Sequence, residues 1–102
     1  SRITDMSYIF SSSKFNGDIS KWNVSNVTNM KNMFYRSKYN GDISNWDIRN
    51  VTNISRMFYS SVFNGDISNW NVSNVTHINS IIYGCMFHNC PIEEPNKPNF
   101  NN

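Results

Sequence analysis

The feature that most constrains this chain is a tandem repeat of 24 residues. Residues 15–28 read FNGDISKWNVSNVT, and residues 63–76 repeat them with one change, Lys21 to Asn69. The same spacing aligns three glycines and three tryptophans: Gly17, Gly41, Gly65, Trp22, Trp46 and Trp70. A unit of this length cannot close a core alone, so the sequence predicts that each unit packs against its own copy.

The repeat divides the 102 residues into an array and a tail. The array is predicted over residues 1–86, as a partial unit 1–14 and three full units, 15–38, 39–62 and 63–86. The pattern therefore begins inside a unit. After Met86 it decays, although Phe87 still fits the column of Phe15. Residues 87–102 are accordingly predicted to be a C-terminal cap and polar tail.

The apolar pattern changes within each unit. Phe15, Gly17 and Ile19 alternate with polar residues, so residues 15–20 predict a short strand with one buried face. Apolar residues at 27, 30, 33 and 34 have the spacing of one helix face. Helix N-cap positions fall at Asn26, Asn50 and Asn74. The prediction is an α/β repeat solenoid, with one short parallel strand and one short helix per 24-residue coil. Rings are expected to stack down two columns: Phe15, Tyr39 and Phe63, and Trp22, Trp46 and Trp70.

The outward positions of the predicted strands form polar columns. They are the candidate binding face, made of Asn16, Asp18, Ser20, Asn40, Asp42, Ser44, Asn64, Asp66 and Ser68. Such a strip could contact a protein or glycan partner. The competing interpretation, which we favour, is that these side chains bond one another and the nearby backbone as ladders and Asx-turns. One Asp per unit supplies too few oxygens for calcium, so no metal site is predicted.

Two further patterns have simpler explanations. Six Asn residues begin N-x-S/T sequons, but half of them are the predicted helix caps, so capping explains them without glycans. Lys14, Arg36 and Lys38 form a weak basic candidate beside Tyr35, suited to an acidic partner or a phosphate backbone. Val62 occupies the same column and breaks the strip, so a solvated turn is favoured there.

Other functions are excluded by composition and spacing. Charged residues make up 16% of the chain and its net charge is +2, so no nucleic-acid partner is expected. No apolar run is long enough to span a membrane. Cys85 and Cys90 are neither a zinc pattern nor a disulfide framework. His77 and His88 lack a group that would orient them for catalysis, so no enzyme and no cofactor are predicted.

The repeat unit resembles those of a known family. Residues 42–61, DISNWDIRNVTNISRMFYSS, and the sister units are similar to the repeats of BspA-like leucine-rich-repeat surface proteins. That family includes mycoplasma lipoproteins, and similar repeats occur in large DNA viruses and phages. The resemblance covers Ile3 to Met86 and departs at His77, Ile81 and Ile82. It implies a leucine-rich-repeat-like solenoid used for adhesion or protein binding, without enzymatic activity.

The functional prediction is a non-enzymatic protein-binding or adhesion module of a cell-surface or extracellular protein. The alternative is a structural component of a virion, capsid, fibre or other assembly, packed by its edges against neighbouring subunits. The two differ at the N-terminal edge, because a free-standing adhesin needs that edge capped, whereas an assembly component can leave it to a neighbour.

Overall fold

The computed structural model describes residues 2–76 and 86–100. Regular secondary structure is almost absent from this part of the chain. A 3₁₀-helix spans Glu94–Asn96, and isolated parallel bridges join Asp5 to Asn29 and Asn29 to Asn53. The predicted α/β repeat solenoid of leucine-rich-repeat type, with a strand and a helix in each unit, is therefore wrong.

Successive β-turns stand where the helices were predicted. The amides of Met33, Tyr35 and Ser37 donate to the carbonyl oxygens three residues before them, at 3.1, 3.2 and 3.1 Å. Asn32 and Arg36 have φ angles of 56° and 53°, and a positive φ is what the third residue of a type II turn requires. An α-helix contains no such residue. Consecutive tight turns also place apolar side chains three and four residues apart. This is the same spacing that predicts one face of a helix, which is why a helix was expected here.

The remaining amides of these turns donate to the next unit. Met30 N donates to Asn53 O at 2.9 Å and Asn32 N to Ser55 O at 3.0 Å. Phe34 N and Arg36 N continue the series to Met57 O and Tyr59 O, at 2.9 and 2.8 Å. Buried amides thus find partners alternately inside the unit and across to the next, without a helix or a sheet.

The predicted strands at residues 15–20 and their equivalents do not pair. Asn40 N donates to the side-chain oxygen Oδ1 of Asn16 at 2.9 Å, and Asn64 N to Oδ1 of Asn40 at 3.0 Å. A parallel ladder would use backbone carbonyls as acceptors. The Asn side chain takes that role, and this is why no strand forms here.

The predicted helix caps also act between units. Asn50 Nδ2 donates to Ser25 O at 2.8 Å, and Asn74 Nδ2 to Arg49 O at 2.6 Å. No helix begins at Asn26, Asn50 or Asn74 in the described residues, so their assignment as N-caps is wrong. The side-chain amides of Asn50 and Asn74 instead satisfy carbonyl groups of the preceding unit.

The core is formed by apolar residues at equivalent positions of successive units, which pack on one another. Val27, Val51, Met33 and Met57 are fully buried. The rings of Phe10, Phe34 and Phe58 stack with centroids 5.5 Å apart and planes within 7°. Two predicted stacks are confirmed, at centroid distances of 6.4 and 6.5 Å: Phe15 on Tyr39, and Trp46 on Trp70.

The ring stack continues past the array at an altered spacing. Phe87 packs on Phe58 with centroids 6.0 Å apart and planes within 5°, and Phe58 N donates to Met86 O at 3.1 Å. Phe87 therefore extends the Phe58 column and not, as predicted, the Phe15 column. Ile92 and Pro98 are buried, and Ile67 N donates to Asn96 O at 2.9 Å, so the tail packs on the last unit. His77, Ile81, Ile82 and Cys85 lie outside the described residues.

Candidate binding face

The structure brings the nine residues of the candidate binding face together as three parallel columns. The Asn and Asp side chains are exposed, and Ser20, Ser44 and Ser68 are half-buried. Asn16 Oδ1 accepts from the amide of Asn40, and Asn40 Oδ1 from that of Asn64, so the Asn column is tied from one unit to the next. The face is thus a set of side chains fixed by hydrogen bonds.

Each Asp of the face closes a local Asx-turn with the Ser two residues later. Asp42 Oδ1 accepts from Ser44 N at 2.9 Å and from Ser44 Oγ at 2.6 Å. The pairs Asp18–Ser20 and Asp66–Ser68 have the same two bonds, with hydroxyl distances of 2.7 Å in both. Both the ladder and the Asx-turns expected from the sequence are therefore present.

These hydrogen bonds keep the carboxylates ionised. The Ser hydroxyl, and after it the Ser amide, lowers the pKa of Asp18, Asp42 and Asp66 below the usual 3.8. Hydrogen bonds to a carboxylate favour its charged form. For Asp42 the neighbouring charge of Asp18 acts in the opposite direction and raises the pKa. The face consequently carries a column of negative charge.

The face has acceptors left for a partner. In the residues that the structure describes, the bonds to the three carboxylates all use Oδ1, and Oδ2 accepts none from the protein. A carboxylate has about four lone-pair sites, so the outer oxygens can accept from Lys, Arg or hydroxyl groups. At the last unit, Ser68 lines a groove of about 270 Å³ with Trp70, Asn71 and Asn99.

Tyr39 is a residue of this region that the sequence pattern predicts only as a core ring. Its side chain is buried, and its hydroxyl has no hydrogen-bond partner in the described part of the protein. Burial, reinforced by the charges of Asp18 and Asp42, raises the pKa of Tyr39 to about 12. The sequence held one signal, because the equivalent positions 15 and 63 are both Phe.

The three residues of the basic candidate carry their charges at the surface of the protein. Lys14, Arg36 and Lys38 are exposed, and none of them makes an ion pair within the described residues. The guanidinium of Arg36 lies 5.4 Å from the ring centre of its neighbour Tyr35. Lys38 N donates to Ser13 O at 3.0 Å, which is a backbone contact between units.

The residues with catalytic side-chain chemistry are used structurally where they are described. His88 stacks on Tyr59 with ring centres 5.0 Å apart. Cys90 is a free thiol whose Sγ lies 3.1 Å from Phe63 O and 3.6 Å from Ser61 Oγ. Within residues 2–76 and 86–100, no group of three His, Cys, Asp or Glu side chains is placed to hold a metal ion.

Sequence and geometry together define a protein built from tandem units whose equivalent residues bond directly to one another and align one polar face. A family model described as "Mycoplasma protein of unknown function, DUF285" matches residues 1–94, and the chain belongs to this family. The family agrees with the mycoplasma part of the resemblance noted above, and its description names neither a function nor a BspA-like protein.

No curated protein and no solved structure matches the chain. Among the described residues, no helix has the length and apolar character needed to cross a membrane.

Proposed function

We propose that this chain is a non-enzymatic binding module of a surface protein, of the adhesion type that BspA-like repeats suggest, and that the candidate binding face contacts the partner. The observation that carries the proposal is the column formed by Asp18, Asp42 and Asp66. Each carboxylate is held in place through Oδ1 and has Oδ2 free toward solvent.

The chemistry of the face favours a partner rich in hydrogen-bond donors. Three neighbouring carboxylates attract Lys and Arg side chains, and they also suit the hydroxyl groups of a glycan. Because the turns already hold the side chains, a partner would not have to order them, which reduces the entropic cost of binding. A location at the surface of a cell or particle is part of the proposal, and the Mycoplasma family supports it.

The test is capture of a partner from the organism's own lysate, followed by direct binding measurements with that partner purified. The face variant carries Asn40→Lys, Asp42→Lys and Ser44→Lys. A matched control with the same change in charge carries Asn45→Lys, Asn69→Lys and Glu93→Lys, three exposed positions with no side-chain hydrogen bond in the described protein. Lys21 already occupies the column of Asn45 and Asn69.

A gentler variant separates charge from folding. Asp18→Asn, Asp42→Asn and Asp66→Asn keep an Oδ1 acceptor for each turn but remove the negative charge. We expect the control to bind like the parent, the Asn variant to bind a basic partner more weakly, and the Lys variant to lose binding. Equal binding by all folded variants would show that this face is not the contact surface.

A further inference from the structure

The N-terminal edge of the array exposes side chains whose equivalents one unit later are buried. Ile3, Tyr8, Ile9, Phe15 and Trp22 have exposed fractions of 55, 52, 46, 38 and 42%. Their equivalents one unit later are almost fully buried: Val27, Asn32, Met33, Tyr39 and Trp46. The edge therefore has the composition of an interface between units.

The backbone of this edge has the same character. The carbonyl oxygens of Asn29, Lys31, Met33 and Tyr35 accept from the amides of the preceding unit, at Met6, Tyr8, Phe10 and Ser12. The equivalent carbonyl groups of the first unit belong to residues 5, 7, 9 and 11. None of these four accepts a hydrogen bond from the described protein. They form a row of acceptors with no donor opposite.

The side chain of Trp22 also lacks a hydrogen bond that its equivalents make to the preceding unit. Trp46 Nε1 donates to Ile19 O and Trp70 Nε1 to Ile43 O, both at 3.0 Å and both across to the preceding unit. Trp22 Nε1 makes no hydrogen bond in the described part of the chain, and its ring stacks on Phe10 alone, at 5.7 Å. Trp22 Nε1 could therefore donate a hydrogen bond to a carbonyl group that lies beyond the edge.

We infer that this edge docks a further 24-residue unit of the same pattern, in the orientation that the interior units have. The interior interfaces are the template: alternate amides of a turn segment such as Met30–Ser37 meet the acceptor row, and a carbonyl equivalent to Ile19 O meets Trp22 Nε1. An α-helix would not fit, because its amides are already bonded along its length.

The C-terminal end of this chain, as the structure describes it, is not suited to dock on the N-terminal edge of a second copy. Ile92 and Pro98 of the tail are buried there, and Asn96 O already accepts from Ile67 N. The docking unit must therefore present a free edge, from the same polypeptide or another. This inference goes beyond the proposed function and would stand even if the polar face bound nothing. Docking of this kind is what a role in a larger assembly requires.

The test adds a unit to the full chain. A duplicate of residues 25–48 is placed directly before Ser1, which keeps the register, and Phe replaces its tryptophan so that Trp22 remains the exposed one of three. The control extension has the same 24 residues in scrambled order. Quenching of tryptophan emission by acrylamide reports on Trp22.

We expect the ordered extension to reduce the quenching several-fold and to shift emission to shorter wavelength, whereas the scrambled extension leaves both as in the parent. The change must vanish when Trp22→Phe is introduced in each chain. Equal quenching of the two extended chains would overturn the inference. So would protection of Trp22 in the unextended chain with rising concentration, together with dimers in sedimentation, because a second copy would then be the occupant.

Discussion

The ring of Tyr39 lies directly over the backbone of Gly41. A Cβ atom at Gly41 would come within 2.7 Å of Tyr39 Cζ, and at Gly65 within 2.8 Å of Phe63 Cζ. Both rings are fully buried and cannot move aside. The glycine of each unit therefore provides space for the aromatic residue two positions before it.

Substitution of this glycine should destabilise the protein according to how firmly the ring is held. We expect Gly41→Ala to lower the free energy of unfolding by about 1–3 kcal/mol, the usual cost of overpacking. Gly17→Ala is the matched control. Its Cβ would also approach the Phe15 ring, at 2.7 Å, but that ring is 38% exposed and can swing outward. Urea unfolding of both variants gives the comparison, and equal losses would contradict the explanation.

Removal of the Tyr39 hydroxyl should stabilise the protein. The group is buried without a partner, so Tyr39→Phe should raise the free energy of unfolding by about 1 kcal/mol. The pKa of Tyr39 rises from 10.0 to about 12 on folding. The contribution of Tyr39 to the free energy of unfolding is therefore constant below pH 10. As pH rises from 10 to about 12, the folded state loses stability, because the hydroxyl ionises in the unfolded chain before it does in the folded one.

The same variant tests this pH dependence. Tyr39→Phe should lose less stability than the parent in alkaline solution, whereas Tyr35→Phe, at a half-buried ring, serves as the control. Unfolding curves on both sides of the ordinary phenol pKa measure the effect. Identical alkaline curves for the parent and Tyr39→Phe would show that the hydroxyl is solvated.

The Asx-turns of the binding face should make the protein sensitive to acid. The pKa values of Asp18, Asp42 and Asp66 are lowered on folding, so their stabilising contribution is present above pH 3.8 and is lost as pH falls through the folded values. The triple Asp→Asn variant keeps the turns and should lose less stability than the parent on acidification. Asp5 and Asp47, whose pKa values are also lowered, leave a residual dependence.

The buried tryptophans should contribute more to the free energy of unfolding than the exposed one. Trp46→Phe removes a hydrogen bond to Ile19 O and part of a packed ring, and should cost about 2–4 kcal/mol. Trp22→Phe removes no such bond from a side chain that is 42% exposed, and should cost less than about 1 kcal/mol. Chemical denaturation separates the two, and a similar cost for both would show that the Nε1 bond contributes little.

Part of this structure could be predicted from the sequence, because it follows from the period alone. The stacking of Trp46 on Trp70 needs only the 24-residue spacing. The secondary structure could not be predicted in the same way, because residues 27–34 have the apolar spacing of a helix whereas their turns depend on positive φ at Asn32. Nothing in the identities of Tyr8, Asn32 and Arg56, which share that conformation, marks the column.

The continuation to Phe87 could have been found in the sequence. Residues 86–90, MFHNC, match residues 57–61, MFYSS, at a spacing of 29 instead of 24. Tyr59 on His88 and Phe58 on Phe87 are the contacts that result. A search restricted to one period misses this alignment, since an offset of five residues places Phe87 in the wrong column.

Because some backbone amides depend on side-chain acceptors, only a few residue types can replace the residues that supply those acceptors. A helix or a sheet takes its hydrogen bonds from the backbone, which every residue except proline supplies, so its surface residues can be replaced by many others. In this chain the amides of Phe15, Ser20 and Asn40 instead bond to Ser13 Oγ, Asp18 Oδ1 and Asn16 Oδ1, atoms that few residue types possess. The Asn and Asp of the segment NGDIS therefore recur at residues 16–20, 40–44 and 64–68, because their exposed side chains supply acceptors that fix the local backbone.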